Sequence, residues 1–212
     1  MKSVQERFEE IYATGEWEGG GSGEGSQPVH TRGYVRFLQK FLKKNRIRSV
    51  LDFGCGDWQF SRFIDWSGLQ YLGLDLVRPV VERNREAFGA PHIEFRVFEG
   101  DFSRLPAADL IIAKDVLQHW SHRSVKSFLS TLLRYRYALI TNCVNPGGIT
   151  PNEDIEDGSF RWLDIRLDPF HWPAREVYSF SNYRPFSRRF FQPPRWTKKV
   201  LLLQADLNRP DL

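Results

Sequence analysis

Val50-Leu51-Asp52-Phe53-Gly54-Cys55-Gly56-Asp57-Trp58 decides the fold. The run Ile47–Leu51 ends in Asp-x-Gly-x-Gly, the pattern of a buried strand that turns sharply into a loop. Two glycines let backbone N–H groups come closer to a ligand than any side chain would allow. Nineteen residues past Gly56, a second apolar run, Tyr71-Leu72-Gly73-Leu74, ends in Asp75. An acid at the tip of the second strand of a βαβ unit is placed to accept hydrogen bonds from ribose hydroxyls. The two motifs together predict a nucleoside-containing cofactor.

Counting on from Gly54 gives Gly, Cys, Gly, Asp, Trp, Gln, so the third glycine of a dinucleotide fingerprint is missing. Asp57 in the loop opposes a doubly charged pyrophosphate and suits a ligand carrying positive charge, such as an amino acid or sulfonium. On these residues the sequence resembles the class I S-adenosylmethionine-dependent methyltransferases. Their strand followed by Asp-x-Gly-x-Gly is matched by Val50–Gly56, their acidic strand end by Asp75, and their acidic-hydrophobic pair by Asp101-Phe102. Their fourth strand and the start of the next helix are matched by Asp109–His119. The resemblance covers roughly residues 46–144. It implies S-adenosylmethionine as cofactor, with Asp52, Gly54, Cys55, Gly56, Asp57 and Trp58 around the methionine moiety. It further implies Asp75 and Leu76 at the ribose, Asp101 and Phe102 at the adenine, and Lys114 at the cofactor's edge.

Working outward, strands are expected at Ser49–Phe53, Tyr71–Leu74, Ile93–Phe98, Leu110–Ala113 and Ala138–Cys143. Helices are expected near Trp58–Asp65, Pro79–Ala87 and Ser124–Arg134. Strands alternating with helices give an α/β, doubly wound and mostly parallel sheet. Residues 3–13 and 31–44 carry apolar residues at helical spacing and bracket the tract Glu18–Pro28, rich in Gly and Ser. Residues 1–45 are therefore expected to form an N-terminal helical lid, and residues 46–212 a single methyltransferase domain. An insert at 145–176 lacks periodicity and should shape the substrate side, while Val177–Phe180 and Val200–Leu203 close the sheet.

With 212 residues the chain suits one sizeable domain. Its charged start carries no secretory signal, no apolar run spans a bilayer, and two cysteines give no disulfide framework. A cytoplasmic enzyme is the expectation. The net charge of +4 is mild, but Arg184, Arg188, Arg189, Arg195, Lys198 and Lys199 form an acid-free run. That run leaves room for an RNA or protein substrate, although a solvated segment with snorkelling arginines is the commoner meaning.

Methyl transfer is an in-line displacement, so the chain must align the reactants and, for an alcohol, take up a proton. His119 as general base and Asp115 beside it are the expected catalytic residues. Trp17, Arg161 and Asn145 are expected on the substrate. The acids of the insert lack a fixed ligand spacing, so no metal is expected. The overall expectation is methylation of a small molecule or glycan, most simply on oxygen. A second reading is a binder of the cofactor without catalysis.

Overall fold

The computed structural model describes residues 3–17, 21–149, 151–182 and 194–204. Seven strands form one sheet: β1 (Ser49–Phe53), β2 (Gln70–Asp75), β3 (Ile93–Val97), β4 (Leu110–Lys114), β5 (Tyr137–Val144), β6 (Arg175–Ser181) and β7 (Thr197–Gln204). Their order is β3-β2-β1-β4-β5-β7-β6, parallel through β5, with β7 antiparallel to both β5 and β6. The order in which successive strands are laid down reverses between β1 and β4, and a crevice opens there at the carboxyl ends of the strands.

Alternation along each strand divides the core in two. Leu51, Phe53, Ile111, Ala113, Ile140 and Leu201 face one side, and Val50, Tyr71, Leu110, Ile112, Leu139 and Val200 the other. Helix α1 (Val4–Thr14) buries Phe8 and Ile11 on the first face, where α4 (His122–Thr131) also packs. Helix α2 (Pro28–Lys44) buries Tyr34, Leu38 and Leu42 on the second. The segment between α1 and α2 must therefore cross over the strand ends. Burying a large apolar side chain contributes about 1.5–3 kcal/mol, so both helices are anchored while the crossing between them carries few apolar groups.

The expected helix over Trp58–Asp65 does not form. Trp58 adopts a left-handed backbone (φ 59°), and only a 3-10 turn, Ser61–Phe63, follows. The apolar spacing of Trp58, Phe60 and Ile64 arises instead from a loop that sinks these side chains, with Trp66, into the second core face. Helix α3 (Arg78–Phe88) then links β2 to β3. In the insert, the described residues between Asn145 and Ala174 form neither helix nor strand. Asn152 organises them: its amide donates to the carbonyls of Asp164 and Asp168 and accepts from Asp164 N–H. Leu163, Ile165 and Phe170 from this segment complete the first core face. Among the described residues no helix is long and apolar enough to cross a membrane.

Candidate functional site

The backbone N–H groups of the glycine loop after β1, expected to approach a ligand, donate instead within the protein. Gly54 and Cys55 N–H both donate to Leu74 O (2.8 and 3.0 Å), Gly56 N–H to Asp75 Oδ2 (2.9 Å) and Asp57 N–H to Ser22 Oγ (2.9 Å). No donor nest is left for a pyrophosphate. What the loop offers is acceptors. Asp52, Asp57 and Asp75 line one cavity, and Asp57 Oδ1 is buried there with no partner. A buried carboxylate oxygen without a donor asks for one, and an ammonium supplies it. Asp75 Oδ1 accepts from Val77 N–H (3.0 Å), and a carboxylate has further lone pairs for two hydroxyls. These residues fit the amino-acid, sulfonium and ribose parts of S-adenosylmethionine.

Asp52 sits deeper, accepting from Tyr71 Oη at 2.7 Å and Ser61 Oγ at 3.3 Å. Burial raises its pKa to about 6, although those two donors oppose the rise. Trp58 is part of the same support and not of the cavity. Its indole N–H donates to Tyr71 Oη (2.8 Å) and its ring packs on Phe88 and Phe95. Asp101 and Phe102 also lie apart from the cavity. Asp101 caps the short turn after β3 through Ser103 N–H and Oγ, and Phe102 packs among Phe53, Phe98, Trp120 and Phe128. Cys55, Leu76 and Lys114 do line the cavity.

The segment crossing the strand ends closes this inner cavity. Ser22 N–H donates to Asp57 Oδ2 (3.3 Å), and Ser22 Oγ meets Tyr12 Oη at 2.9 Å. Lys114 Nζ donates to Gly25 O at 3.1 Å and to Asp115 Oδ2 at 2.5 Å. Tyr12 and Ser22 were not anticipated from the sequence; the only sign of Tyr12 was its place on the apolar face of α1.

Beyond Ser22 lies a second, outer cavity. The two share Trp17, Ser22, Asp115 and His119 as a common wall. The inner one holds about 70 Å³, against about 580 Å³ for the outer by the same measure. Trp17, Phe160, Trp162 and Trp196 give the outer cavity four aromatic walls. Trp17 packs on the His119 ring with centroids 4.9 Å apart.

His119 does not present a free base. Cys143 N–H donates to Gln118 Oε1 (2.7 Å), which turns the Gln118 amide nitrogen toward His119 Nε2 (3.3 Å). His119 Nδ1 lies 2.9 Å from Ser159 O, an acceptor only, so Nδ1 carries the proton and the Nε2 lone pair faces Gln118. Burial lowers the His119 pKa to about 4, despite the pull of Ser159 O and Asp115.

Asp115, with a left-handed backbone (φ 61°), receives two ammoniums on Oδ2, from Lys114 and from Lys198 of β7. Burial acts to raise the Asp115 pKa, but the two lysines outweigh it and hold the pKa below the usual range. Burial lowers Lys114 to about 8, with Asp115 opposing and Lys198 reinforcing the fall. Lys198 belongs to the basic run read earlier as a surface. In β7, however, it is in phase with Val200 and Leu202 and only 3% exposed. Arg195 pairs with Glu24, and Lys199 with Glu176. The described cations of the run are thus engaged within the protein; Arg184, Arg188 and Arg189 lie outside the described residues.

Two expected substrate contacts fall elsewhere. Arg161 is buried and donates to Glu153 O (3.0 Å), lining neither cavity. Asn145 accepts from Gly147 N–H (2.8 Å) in the turn after β5 and faces a separate groove. Trp17 alone of the three stands at the site. Among the described residues no group of three His, Cys, Asp or Glu side chains could hold a metal ion.

The family model described as "Methyltransferase domain" matches residues 50–136. The N-terminal domain of EvdMO1, solved in the presence of SAH and D-fucose, is 13% identical; the match covers 97% of this chain and 100% of that one, with a TM-score of 0.56. Magnesium protoporphyrin IX methyltransferase (ChlM) from Synechocystis PCC 6803 with bound SAH is 17% identical, covering 93% and 91%, with a TM-score of 0.54. The methyltransferase domain of bacterial CtHen1 is 16% identical, covering 82% and 99%, with a TM-score of 0.55. No curated protein matches the chain. At these identities the structural likeness speaks for the fold.

Proposed function

We propose that this chain, whose residues 50–136 match a family model described as "Methyltransferase domain", methylates an oxygen of a small molecule or glycan. The cofactor is S-adenosylmethionine, which when bound supplies an electrophilic methyl group. The observation that carries the reading is the pair of cavities divided by Trp17, Ser22, Asp115 and His119. The inner one is lined by three aspartates and suits a cation; the outer one has aromatic walls and suits a ring.

In this reading Asp57 holds the methionine ammonium and Asp75 the ribose, while Gly54 makes room for Val116 of the turn after β4. A side chain at Gly56 would run into Ser22 and Tyr12, so the glycine is needed for the closed lid as well. Asp115 fixes Lys114 and Lys198, while His119 and Trp17 form the partition across which donor and acceptor meet. A cytoplasmic setting fits the two unpaired, buried cysteines.

Calorimetric titration with S-adenosylmethionine and S-adenosylhomocysteine tests the cofactor. Release of labelled methyl groups over a panel of small acceptors tests the transfer and separates an enzyme from a mere binder. Heat with a nicotinamide dinucleotide and none with either sulfur compound would overturn the reading.

A further inference from the structure

The charges around Asp115, in the wall between the two cavities, do not cancel. Glu16 is held by Arg7 (2.6 and 2.8 Å), and Glu24 by Arg195. Asp115 is shared between Lys114 and Lys198, so this buried trio holds two ammoniums against one carboxylate. Both lysines are buried, with side chains 2% and 3% exposed. A buried ammonium without a full counter-charge is costly, and a ligand anion removes that cost.

Lys198 is the one of the two that reaches the outer cavity. Lys114 spends its donors on Gly25 O, Ser26 Oγ and Asp115. Lys198 Nζ has Asp115 Oδ2 and the face of Trp196, 4.8 Å from the ring centroid. An ammonium has three N–H donors, so two remain after Asp115. Gly25 packs against Lys198 Nζ, and a side chain there would strike it.

The same cavity lacks a base for a neutral alcohol. The His119 lone pair is turned to Gln118; Asp115 takes two cations on Oδ2 while its Oδ1 has no donor, and those cations hold its pKa below the usual range, which makes it a poor base. Around Lys198 Nζ the titratable groups are Asp115, Lys114, Cys143, Glu24, Arg195, His30 and His119; Glu24 is paired with Arg195 and His30, and Asp115 is held ionised by the two lysines. The oxygen to be methylated must therefore arrive as an anion or ionise easily.

We propose that Lys198 binds the anionic oxygen of a planar acceptor, a phenolate or a ring-borne carboxylate, whose ring lies among Trp17, Phe160, Trp162 and Trp196. This rests on the methyltransferase reading and narrows its acceptor. Arene faces on aromatic walls add contact without asking for further polar partners, and a cation beside them selects charge.

The test uses the whole chain saturated with S-adenosylhomocysteine, titrated with 4-nitrophenol, benzoate and methyl α-glucoside. The phenol reports its own ionisation by absorbance, so binding is read without turnover. The expected result is binding of 4-nitrophenolate and benzoate and none of the glucoside. In Lys198→Met both anions should weaken by about tenfold or more, the loss of a charge-assisted hydrogen bond, with S-adenosylhomocysteine affinity kept. Lys198→Arg should hold most of the binding, because the charge stays. Phenol binding that rises with pH while benzoate stays flat identifies a phenolate as read by ionisation; labelled methyl transfer to one arm and not the other tells which oxygen is used. Equal anion affinity in Lys198→Met, or tighter binding of the glucoside than of either anion, would overturn the proposal. If S-adenosylhomocysteine binds and neither anion does, only this inference fails; if S-adenosylhomocysteine does not bind, the methyltransferase reading fails first.

Discussion

The inner and outer cavities meet at four residues yet are made in opposite ways. The inner one is built mainly from the ends of the adjacent parallel strands β1, β2 and β4 and the loops that follow them, half of it from within Asp52–Leu76, under a lid from the N-terminus. The outer one is assembled from five separated pieces: the crossing segment, the turn after β4, the end of β5, the insert and β7. The inner cavity presents three aspartates; the outer presents ring faces and the buried ammonium of Lys198. Contiguous loops can fix a ligand shape in the sequence itself. A surface drawn from five places can change its ligand by changing any one of them.

The sharpest way to break this division is to compare Gly56→Val with Trp162→Ala. Gly56 has φ 55° and lies against Ser22 and Tyr12, so a branched side chain is both strained and obstructed. Gly56→Val should abolish calorimetric cofactor binding, and Asp75→Ala should raise the cofactor Kd by about a hundredfold through two lost charge-assisted hydrogen bonds. Trp162→Ala should leave that Kd within about twofold, as expected for a residue in the other cavity. If Trp162→Ala harmed cofactor binding as much as Asp75→Ala, the two cavities would be one.

A smaller effect is expected where the cavities touch. His119 has a folded pKa of about 4, below its ordinary 6.5. Between those values the unfolded chain binds the proton and the folded chain does not, so stability is full above pH 6.5 and falls as the pH drops toward 4. The unfolding free energy of the native chain, read from urea titrations, should lose about 2 kcal/mol between pH 7 and pH 5 from this group alone. His119→Gln should be flatter over the same window. A rate profile with an inflection near pH 6.5 that vanishes in His119→Gln would instead mark His119 as a titrating base, against its hydrogen bonding.

How much of this could be read in the sequence follows the same line. Strand β1 was legible because a parallel strand buried on both faces needs a short apolar run, and the Asp-x-Gly-x-Gly that follows has few other uses. Asp57 and Asp75 were legible for the same reason. Lys198 was not: in a run with Arg195 and Lys199 it reads as surface charge, and only its phase with Val200 and Leu202 marks it as inward. The expected helix over Trp58–Asp65 failed because apolar spacing records burial, not conformation. Trp58, Phe60 and Ile64 are all buried, but by a loop. Arg161 and Asn145 were chosen by type, and neither type nor spacing says which way a loop turns.

Trp58→Phe sharpens the boundary between site and support. The indole N–H donates to Tyr71 Oη, which donates to Asp52, so removing it shortens a chain of buried hydrogen bonds. The expected cost is about 1 kcal/mol of unfolding free energy, with the cofactor Kd unchanged. A cofactor defect without a stability defect would return Trp58 to the site.

Asp101→Ala carries the smallest expected effect and decides between two roles for one carboxylate. The family resemblance puts this residue at the adenine; the structure has its Oδ1 accepting from Ser103 N–H at 2.9 Å and Ser103 Oγ at 2.6 Å. Those donors pull its pKa down, as a cap in solvent should. A solvent-exposed carboxylate gains little from one more hydrogen bond, because water competes for the same lone pairs. Asp101→Ala should therefore fray the turn Phe102–Arg104 and leave the cofactor Kd within about twofold. Comparison with Asp101→Asn strengthens the test, since Asn keeps an acceptor for Ser103 N–H but loses the charge. An adenine contact would make both variants bind S-adenosylhomocysteine about tenfold more weakly while S-ribosylhomocysteine, which has no adenine, bound all three proteins alike. Equal affinities throughout would leave the inner cavity with its acids confined to the two strand ends that the sequence already marks.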